Sequence, residues 1–412
     1  MARRVVITGR GVVSPLGDSP AELFEALVEG RSGVDEIGHI EMQGIRCRLG
    51  ARINGFKPRE YLGRRNLRTL DRTGALVTTA VKMALQEAGW SEEQRAQVEI
   101  GLVLGTMYCS VATIAAFDRR AAEAGPVYAS PFDFANSVIN AAAGQSAIWH
   151  GLRGMNSTIA CGAASGLRAI ASAAEAIRGG RADVVIAGGA EEMCRESLLA
   201  FDRSGRLCRT DDADHPCAVP LHRRRNGAVL GEGAAVIVLE AEDVARQRGA
   251  QILGEVCGSG TAFDAHQGLD RNRARAAGER SIRQSMVDAA VSAERVAGLS
   301  LAADGSPDDV LEAQAMAGAL GDRVADIPAF AVAAYLGQCL GAGGGLQAVA
   351  AVESLRRGRL PGVRGLDERD PDCPLPAVAP QATDLGDGVL LLNSVSFDGH
   401  RCTVVLAPPE VS

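Results

Sequence analysis

The chain has 412 residues, 47% of them hydrophobic and 4% aromatic, and a net charge of −7 at pH 7. That length exceeds one ordinary domain and predicts two fused core units, each with ample apolar material. The acidic balance and the lack of a long basic run argue against nucleic-acid binding, and no stretch reaches the ~18 uninterrupted apolar residues of a membrane span.

Gly (49 residues) and Ala are abundant, which suits closely approaching helices and buried parallel strands in a layered α/β fold. The opening Met1-Ala2-Arg3-Arg4-Val5-Val6-Ile7 runs straight into a strand-like segment without a signal-peptide h-region. Val98–Leu104, Val184–Ala187 and Val236–Leu239 read as buried strands. Ser165–Arg178 and Gly345–Arg357 read as helices with small-residue faces. Asp367–Pro380, rich in Pro and Asp, reads as a loop. The basic cluster Arg223-Arg224-Arg225 reads as a solvated loop, with a landing spot for an acidic carrier protein as the functional alternative. Ten cysteines at scattered spacings, with no CxxC pair, fit a reducing cytoplasm in which most are small core residues.

An internal echo bears on organisation. Gly162-Ala163-Ala164-Ser165-Gly166-Leu167, followed by RAIASAAEAIRGGR, is similar to Gly341-Ala342-Gly343-Gly344-Gly345-Leu346, followed by QAVAAVESLRRGR. A glycine-rich turn, a helix of similar length and an arginine-rich stop recur in both, which predicts a duplicated α/β unit. The boundary then falls near Glu240–Gly254, giving halves 1–245 and 246–412.

One segment carries a candidate nucleophile. Asn156-Ser157-Thr158-Ile159-Ala160-Cys161-Gly162-Ala163 passes from strand-like to helix-opening at Cys161. A thiol at a helix N-terminus meets unpaired N–H groups and the positive dipole end, which lower its pKa. Gly162 removes bulk beside it, and backbone N–H groups there are candidates for an oxyanion hole. Taken alone, a cysteine before a helix is more often packing than chemistry.

The segment resembles the nucleophile elbow of β-ketoacyl synthases. VVITGRGVVSPLG at the start, Ser130–Gly154, Asn226–Ala234 and Asn393–Gly399 fall where that family places its motifs, so the resemblance spans the chain. It implies the thiolase fold, two similar α/β halves in five layers (α-β-α-β-α), and dimers formed through the N-terminal halves. It also implies substrates carried on the phosphopantetheine of an acyl carrier protein, with no metal or dissociable cofactor.

The family's condensing chemistry uses two histidines and a lysine besides the cysteine, and this chain departs at each. Asp304 stands in the place of the first histidine, with Glu312 downstream. An aspartate cannot donate as a neutral imidazole does, and it repels a malonyl carboxylate. Gln338 stands in the place of the second histidine and cannot exchange a proton near pH 7. Ala333 aligns with the lysine, and His39, His150, His215, His222, His266 and His400 all lie elsewhere, as surface or structural residues. After Asp264-Ala265-His266, the carrier-arm contacts are replaced by other residues. The usual C-terminal glycine-rich turn has become Ser396-Phe397-Asp398-Gly399, with Phe397 at the gate position and Asp398 adding bulk and charge.

These losses predict a non-condensing partner subunit similar to the chain-length factor of type II polyketide systems. It pairs with an active ketosynthase and lines that enzyme's acyl tunnel. Tyr108, Val111 and Ala115 are the aligned tunnel candidates, with Phe134 at the dimer crossing, and ordinary interface packing is their alternative reading. Familiar chain-length factors usually carry glutamine at the nucleophile position, so Cys161 is a departure from them. A second functional hypothesis is a Cys161-dependent acyltransferase that moves an acyl group without decarboxylation, with Asp304 as base.

Overall fold

The computed structural model describes residues 3–38, 40–64, 66–211 and 217–409, so His39 and His215 lie outside the described residues. Among the described residues, ten strands form one mixed sheet. The first five are β1 (Val5–Val13), β2 (Ile100–Gly105), β3 (Asn156–Ile159), β4 (Val184–Glu191) and β5 (Gly233–Ala241). The second five are β6 (Gly254–Phe263), β7 (Val296–Leu301), β8 (Ala329–Ala331), β9 (Val389–Val395) and β10 (His400–Ala407). Their spatial order is β8-β7-β9-β10-β6-β1-β5-β4-β2-β3. Each set therefore follows the same plan, third-second-fourth-fifth-first. In both sets the second strand is parallel to its neighbours, and the remaining pairs are antiparallel. A short antiparallel contact of β1 with β6 joins the sets, Val6 opposite Glu255 and Ile7 opposite Gly254.

The helices that matter for the site are α1 (Arg72–Glu87), α2 (Val111–Ala124), α3 (Pro131–Ala135), α4 (Ala141–His150) and α5 (Ser165–Arg178). They continue with α6 (Arg195–Arg203), α7 (Arg271–Asp288), α8 (Asp309–Leu320) and α9 (Gly343–Arg357). Helices α5 and α9 pack on each other and on strands of both sets, so they form a central layer. Helices α1 and α4 cover the outer face of the first set, while α7, with α8 beside it, covers the second. The result is five layers, the thiolase fold. The echoing segments become α5 and α9, each following the third strand of its own set. No helix among the described residues is long and apolar enough to cross a membrane.

Local sequence explains most of these elements. Every residue of β1, β4 and β5 is buried, as strands covered on both faces are, and the polar Thr8, Arg10, Glu191 and Glu240 among them are each bonded within the chain. The strand expected at Val98–Leu104 begins two residues later, and those expected from Val184 and around Val236 are longer than their apolar cores. The helix expected from Ser165 has the bounds read from the sequence, whereas the one expected from Gly345 starts at Gly343. In its first turn Gly344 and Gly345 lie against backbone, where no side chain fits. Eight cysteines are free thiols and six of these are buried, but Cys208 and Cys217 form a disulfide. That pairing departs from the expectation of a reducing environment with most cysteines as small core residues, because chain folding brings two unpatterned cysteines together.

The central layer is glycine-tight. A Cβ on Gly189 of β4 would lie 1.9 Å from the Gly341 carbonyl oxygen, and one on Gly344 of α9 would lie 2.1 Å from the Leu167 nitrogen. A Cβ on Gly345 would meet the Ala235 oxygen at 2.1 Å. Backbone touches backbone here, so these positions exclude any larger residue.

Two adjacent acids at the end of β4 then place the loop that precedes α2. Glu191, fully enclosed, accepts N–H bonds from Met107 (2.6 Å), Tyr108 (2.9 Å), Cys109 (2.9 Å) and Gly341 (3.2 Å). It also accepts the Thr106 hydroxyl at 3.2 Å. Glu192 accepts the Ala112 N–H at 3.1 Å, in the first turn of α2. Burial pushes the Glu191 carboxyl up to about 7 against the pull of these N–H groups. Burial, with Asp71 nearby, pushes Glu192 up to about 8.

Two outcomes are expected. Gly344→Ala should destabilise the protein by ~3 kcal/mol or more, or prevent its folding, because backbone rather than a movable side chain blocks the new methyl. Gly386→Ala, where no atom lies within 4 Å, should stay within about 0.5 kcal/mol in the same denaturant titration. The Glu192 carboxyl is raised from its ordinary 4.5 to about 8, so the folded chain binds that proton more tightly than the unfolded chain. Its contribution to stability therefore falls as pH rises between those two values and is level above them. Thermal unfolding at pH 5 and at pH 8.5 should show Glu192→Gln gaining on the parent chain at the higher pH.

Candidate active site

Cys161 sits in the turn between β3 and α5. Gly162 has φ of +60°, and a Cβ there would lie 2.0 Å from Ser396 Oγ and 2.7 Å from Asp398 Oδ2. Only glycine suits both the backbone and the space. The Ser165 hydroxyl accepts the Cys161 N–H at 2.9 Å and donates to the Gly162 carbonyl at 2.6 Å. From the other half, the Ser394 hydroxyl donates to the Ala163 carbonyl at 3.1 Å, and Ser396 Oγ accepts the Ala163 N–H at 3.0 Å. The β9–β10 turn therefore lies directly on the cysteine turn.

These contacts alter two expectations. The N–H groups of Cys161 and Ala163 are both bonded within the chain, so neither is a waiting oxyanion donor. The thiol pKa is raised rather than lowered. Burial is the main cause, Asp398 adds to it, and Ser165 and Arg168 offset it only partly. Cys161 is four residues before the first residue of α5, outside the turn in which a helix dipole acts strongly. It is 8% exposed.

A recess beside the turn is lined by Ala163, Phe201, Arg206, Asp304, Gln338 and Phe397, among others. Asp304 and Gln338, which the resemblance sets at the histidine positions, bond to each other across it, Gln338 Nε2 donating to Asp304 Oδ2 at 3.0 Å. The other oxygen of Asp304 accepts the Ser306 N–H at 3.0 Å, and Gln338 Oε1 accepts the Leu340 N–H at 3.1 Å. Behind them, the buried Asp309 accepts N–H bonds from Leu221 (2.8 Å), Asp304 (3.0 Å) and Gly305 (3.2 Å). Burial and then the neighbouring Asp304 push the Asp309 carboxyl well up.

Glu312 also faces the recess and is buried. Its Oε1 accepts the Ala302 N–H at 2.8 Å and Asn393 Nδ2 at 2.5 Å, while Oε2 has no hydrogen-bond partner. Burial pushes this carboxyl up to about 7. Ala333 contributes only a methyl group, to an adjoining hollow shared with Ala302 and Gln338. Carboxyl groups thus dominate a space where the family resemblance implies imidazoles and an ammonium.

Phe397 borders the recess, and its ring stands edge-on to Phe201 with centroids 5.5 Å apart. Phe201 meets Tyr108 in a second edge contact at 6.4 Å. Gate and first tunnel candidate therefore share one aromatic neighbour, which no motif singled out. Val111 and Ala115 lie half-buried along α2 and do not line the recess. Phe134 on α3 is 63% exposed, its ring 5.8 Å from that of Phe117.

The remaining sequence candidates have structural partners. His222 Nδ1 accepts the Arg224 N–H at 2.9 Å, which assigns the proton to Nε2, 2.8 Å from Asp367 Oδ1. His150 Nε2 lies 2.8 Å from the Thr78 carbonyl, and burial lowers its pKa to about 4. His400 packs on Phe263 and His266 is exposed. The arginine cluster is not a free cationic patch, since Arg223 pairs with Glu368 at 3.0 Å and Arg225 with Asp370 at 2.5 Å. Asp264 uses its carboxylate to close its own turn, accepting the His266 and Gly268 N–H groups. Among the described residues, no group of three or more His, Cys, Asp or Glu is placed to hold a metal ion.

Comparison with known proteins agrees with this geometry. The sequence model for the β-ketoacyl synthase N-terminal domain matches residues 2–245, and that for the C-terminal domain matches residues 253–367. The chain is 30% identical to a 3-oxoacyl-[acyl-carrier-protein] synthase 2 of Synechocystis sp., over 98% of this chain and 97% of that one. A protein of the same description from Coxiella burnetii is 30% identical over 98% of each chain. Among solved structures, the ishigamide ketosynthase/chain length factor superposes with a TM-score of 0.92 at 28% identity, over 99% of this chain and 100% of that one. A type II polyketide synthase acyl-carrier protein in complex with its ketosynthase, bound to the hexaketide, contains a chain with a TM-score of 0.90 and 25% identity over 99% and 100%. With both halves matched, the duplicated sheet plan in place and the cysteine on its turn, the chain belongs to the β-ketoacyl synthase family.

Proposed function

We propose that this chain is a non-condensing partner subunit. It pairs with an active β-ketoacyl synthase and shapes that enzyme's acyl tunnel, in type II polyketide or fatty-acid-like biosynthesis. The observation that carries this reading is the Asp304–Gln338 hydrogen bond at 3.0 Å. Decarboxylative condensation needs groups that accept a malonyl carboxylate and steady the oxyanion that follows. Here one of those positions is a carboxylate held by the other, beside the buried Asp309 and Glu312. Such a site repels a malonyl extender. The likeness to a ketosynthase/chain length factor supports the same conclusion.

The partner face follows from exposure. Val127, Tyr128, Phe132, Phe134, Val138 and Ile148 are all more than half exposed, a concentration of apolar side chains that favours cover by a partner. Beside it β3 ends the sheet and leaves one edge unpaired, which a second subunit can extend. Acyl chains reach the pair on the phosphopantetheine of an acyl carrier protein, as the likeness to a carrier-bound ketosynthase supports. A Cys161-dependent acyltransferase is the weaker reading, because its only aligned base, Asp304, is already bonded to Gln338 and burial raises the thiol pKa.

Reconstitution with a ketosynthase carrying intact cysteine and histidines tests the proposal. The two chains should elute as a one-to-one complex, and Ile148→Lys should weaken it by roughly 30-fold, ~2 kcal/mol. With carrier protein and malonyl extender, mass spectrometry should find products from the pair and none from this chain alone. Cys161→Ala should leave the yield unchanged, while Val111→Trp or Ala115→Trp should shorten the products. Condensation by the isolated chain, or loss of product in Cys161→Ala, would sink the partner-subunit reading.

A further inference from the structure

Arg206 belongs to none of the motifs above, yet it touches both sides of the recess. Its guanidinium carbon stands 4.2 Å from the centroid of the Phe397 ring. Its Nη1 lies 3.3 Å from Asp308 Oδ2, and Asp308 is the N-cap residue of α8. Phe201 meets the same Phe397 ring edge-on at 5.5 Å. The ring is thus held by a cation and by an aromatic edge, and the cation is anchored across the recess.

What the ring covers follows from its neighbours in the chain. Ser396 takes the Ala163 N–H, and the Asp398 carboxylate abuts Gly162, so Phe397 is seated on the cysteine turn from both flanks. Arg206, Phe397 and Asp308 border the recess together, while Cys161 itself does not line it. An acyl group on a pantetheine arm that enters the recess toward Cys161 has to displace the ring. Displacing the ring separates it from Arg206.

We propose that Arg206 is a gating residue, and that the chain Asp308–Arg206–Phe397 is a latch holding the recess closed to pantetheine-borne acyl groups. This deepens the partner-subunit reading and rests on it for its meaning, since a closed site keeps growing chains on the partner's cysteine. The guanidinium suits the task because its flat face stacks on the ring while its edge still donates to Asp308. Arg206 and Asp308 side chains are 31% and 37% exposed, so salt weakens the anchor but not the stack.

The test measures alkylation of Cys161 in the full chain with two chloroacetyl probes, chloroacetamide and a chloroacetylated pantetheine, scored on the Cys161 peptide by mass spectrometry. The ratio of the two rates reports on passage through the gate and cancels changes in thiolate fraction. Arg206→Ala should raise the pantetheine-to-small-probe ratio about five-fold, the scale of one cation–π contact with its ion pair. Phe397→Ala should raise it at least as much, and Arg206→Lys should fall between Arg206→Ala and the parent chain. Asp308→Asn should raise the ratio alone but add little to Arg206→Ala, because both act on one latch. An unchanged ratio in Arg206→Ala or Phe397→Ala, or full additivity of the Arg206 and Asp308 changes, would overturn the latch. Those results concern the recess of this chain alone, so they leave the product-length tests of the partner role standing or falling by themselves.

Discussion

A single buried carboxylate holds the site region together. Glu191 ends β4, and its two oxygens receive four backbone N–H groups and one hydroxyl. Three of the N–H groups come from consecutive residues of the loop before α2, and the fourth comes from Gly341 in the opposite half. Without that acid the Met107, Tyr108 and Gly341 N–H groups would lose this acceptor, at about 1–3 kcal/mol for each one left unpaired, while the Cys109 N–H would keep Thr106 Oγ1 at 2.9 Å. With it, the loop carrying Tyr108 and the turn just after Gln338 are bound to one point. The raised carboxyl pKa of about 7 shows how much burial opposes the arrangement. The N–H donors offset that opposition only in part, since burial is the larger influence and the carboxyl stays raised.

The glycine-tight seam is the second constraint, and it explains where this chain was free to change. Gly189, Gly344 and Gly345 touch backbone, so helices α5 and α9 cannot move apart or take on side chains without losing the fold. Residues on the rim of the recess are under no such restriction. There stand Asp304, Gln338 and Ala333, where the family resemblance implies histidines and a lysine. The new pair satisfies itself through one hydrogen bond and leaves the framework undisturbed. A conserved-looking fold and a changed chemistry are thus compatible, because different residues carry them.

The cysteine belongs to the framework side of that division. Its turn requires Gly162, its N–H is taken by Ser165, and two serines of the other half close over Ala163. A thiol of this size packs well there whether or not it reacts. Burial and Asp398 both disfavour the thiolate. The same turn that would present a nucleophile in a condensing enzyme here supports the wall of a recess whose groups are acidic.

The sequence by itself determined the fold class, the duplication, the bounds of α5 and the place of Cys161 before it. Periodicity and turn residues act over a few neighbouring positions, and the echo and the family resemblance compare such local patterns along the chain. It also singled out Asp304, Gln338 and Ala333, which the resemblance sets at the histidine and lysine positions. Only the tertiary structure decided that Asp304 and Gln338 bond to each other, that the N–H groups of Cys161 and Ala163 are occupied, and that Glu312 keeps one oxygen unpartnered. It alone joined Arg206 to Phe397 and set Phe201 between Phe397 and Tyr108. Each of those contacts links segments far apart in the chain, brought together by the packing of two halves. Periodicity carries no record of which distant rows will face each other, so the partners of these side chains could be found only in the folded molecule.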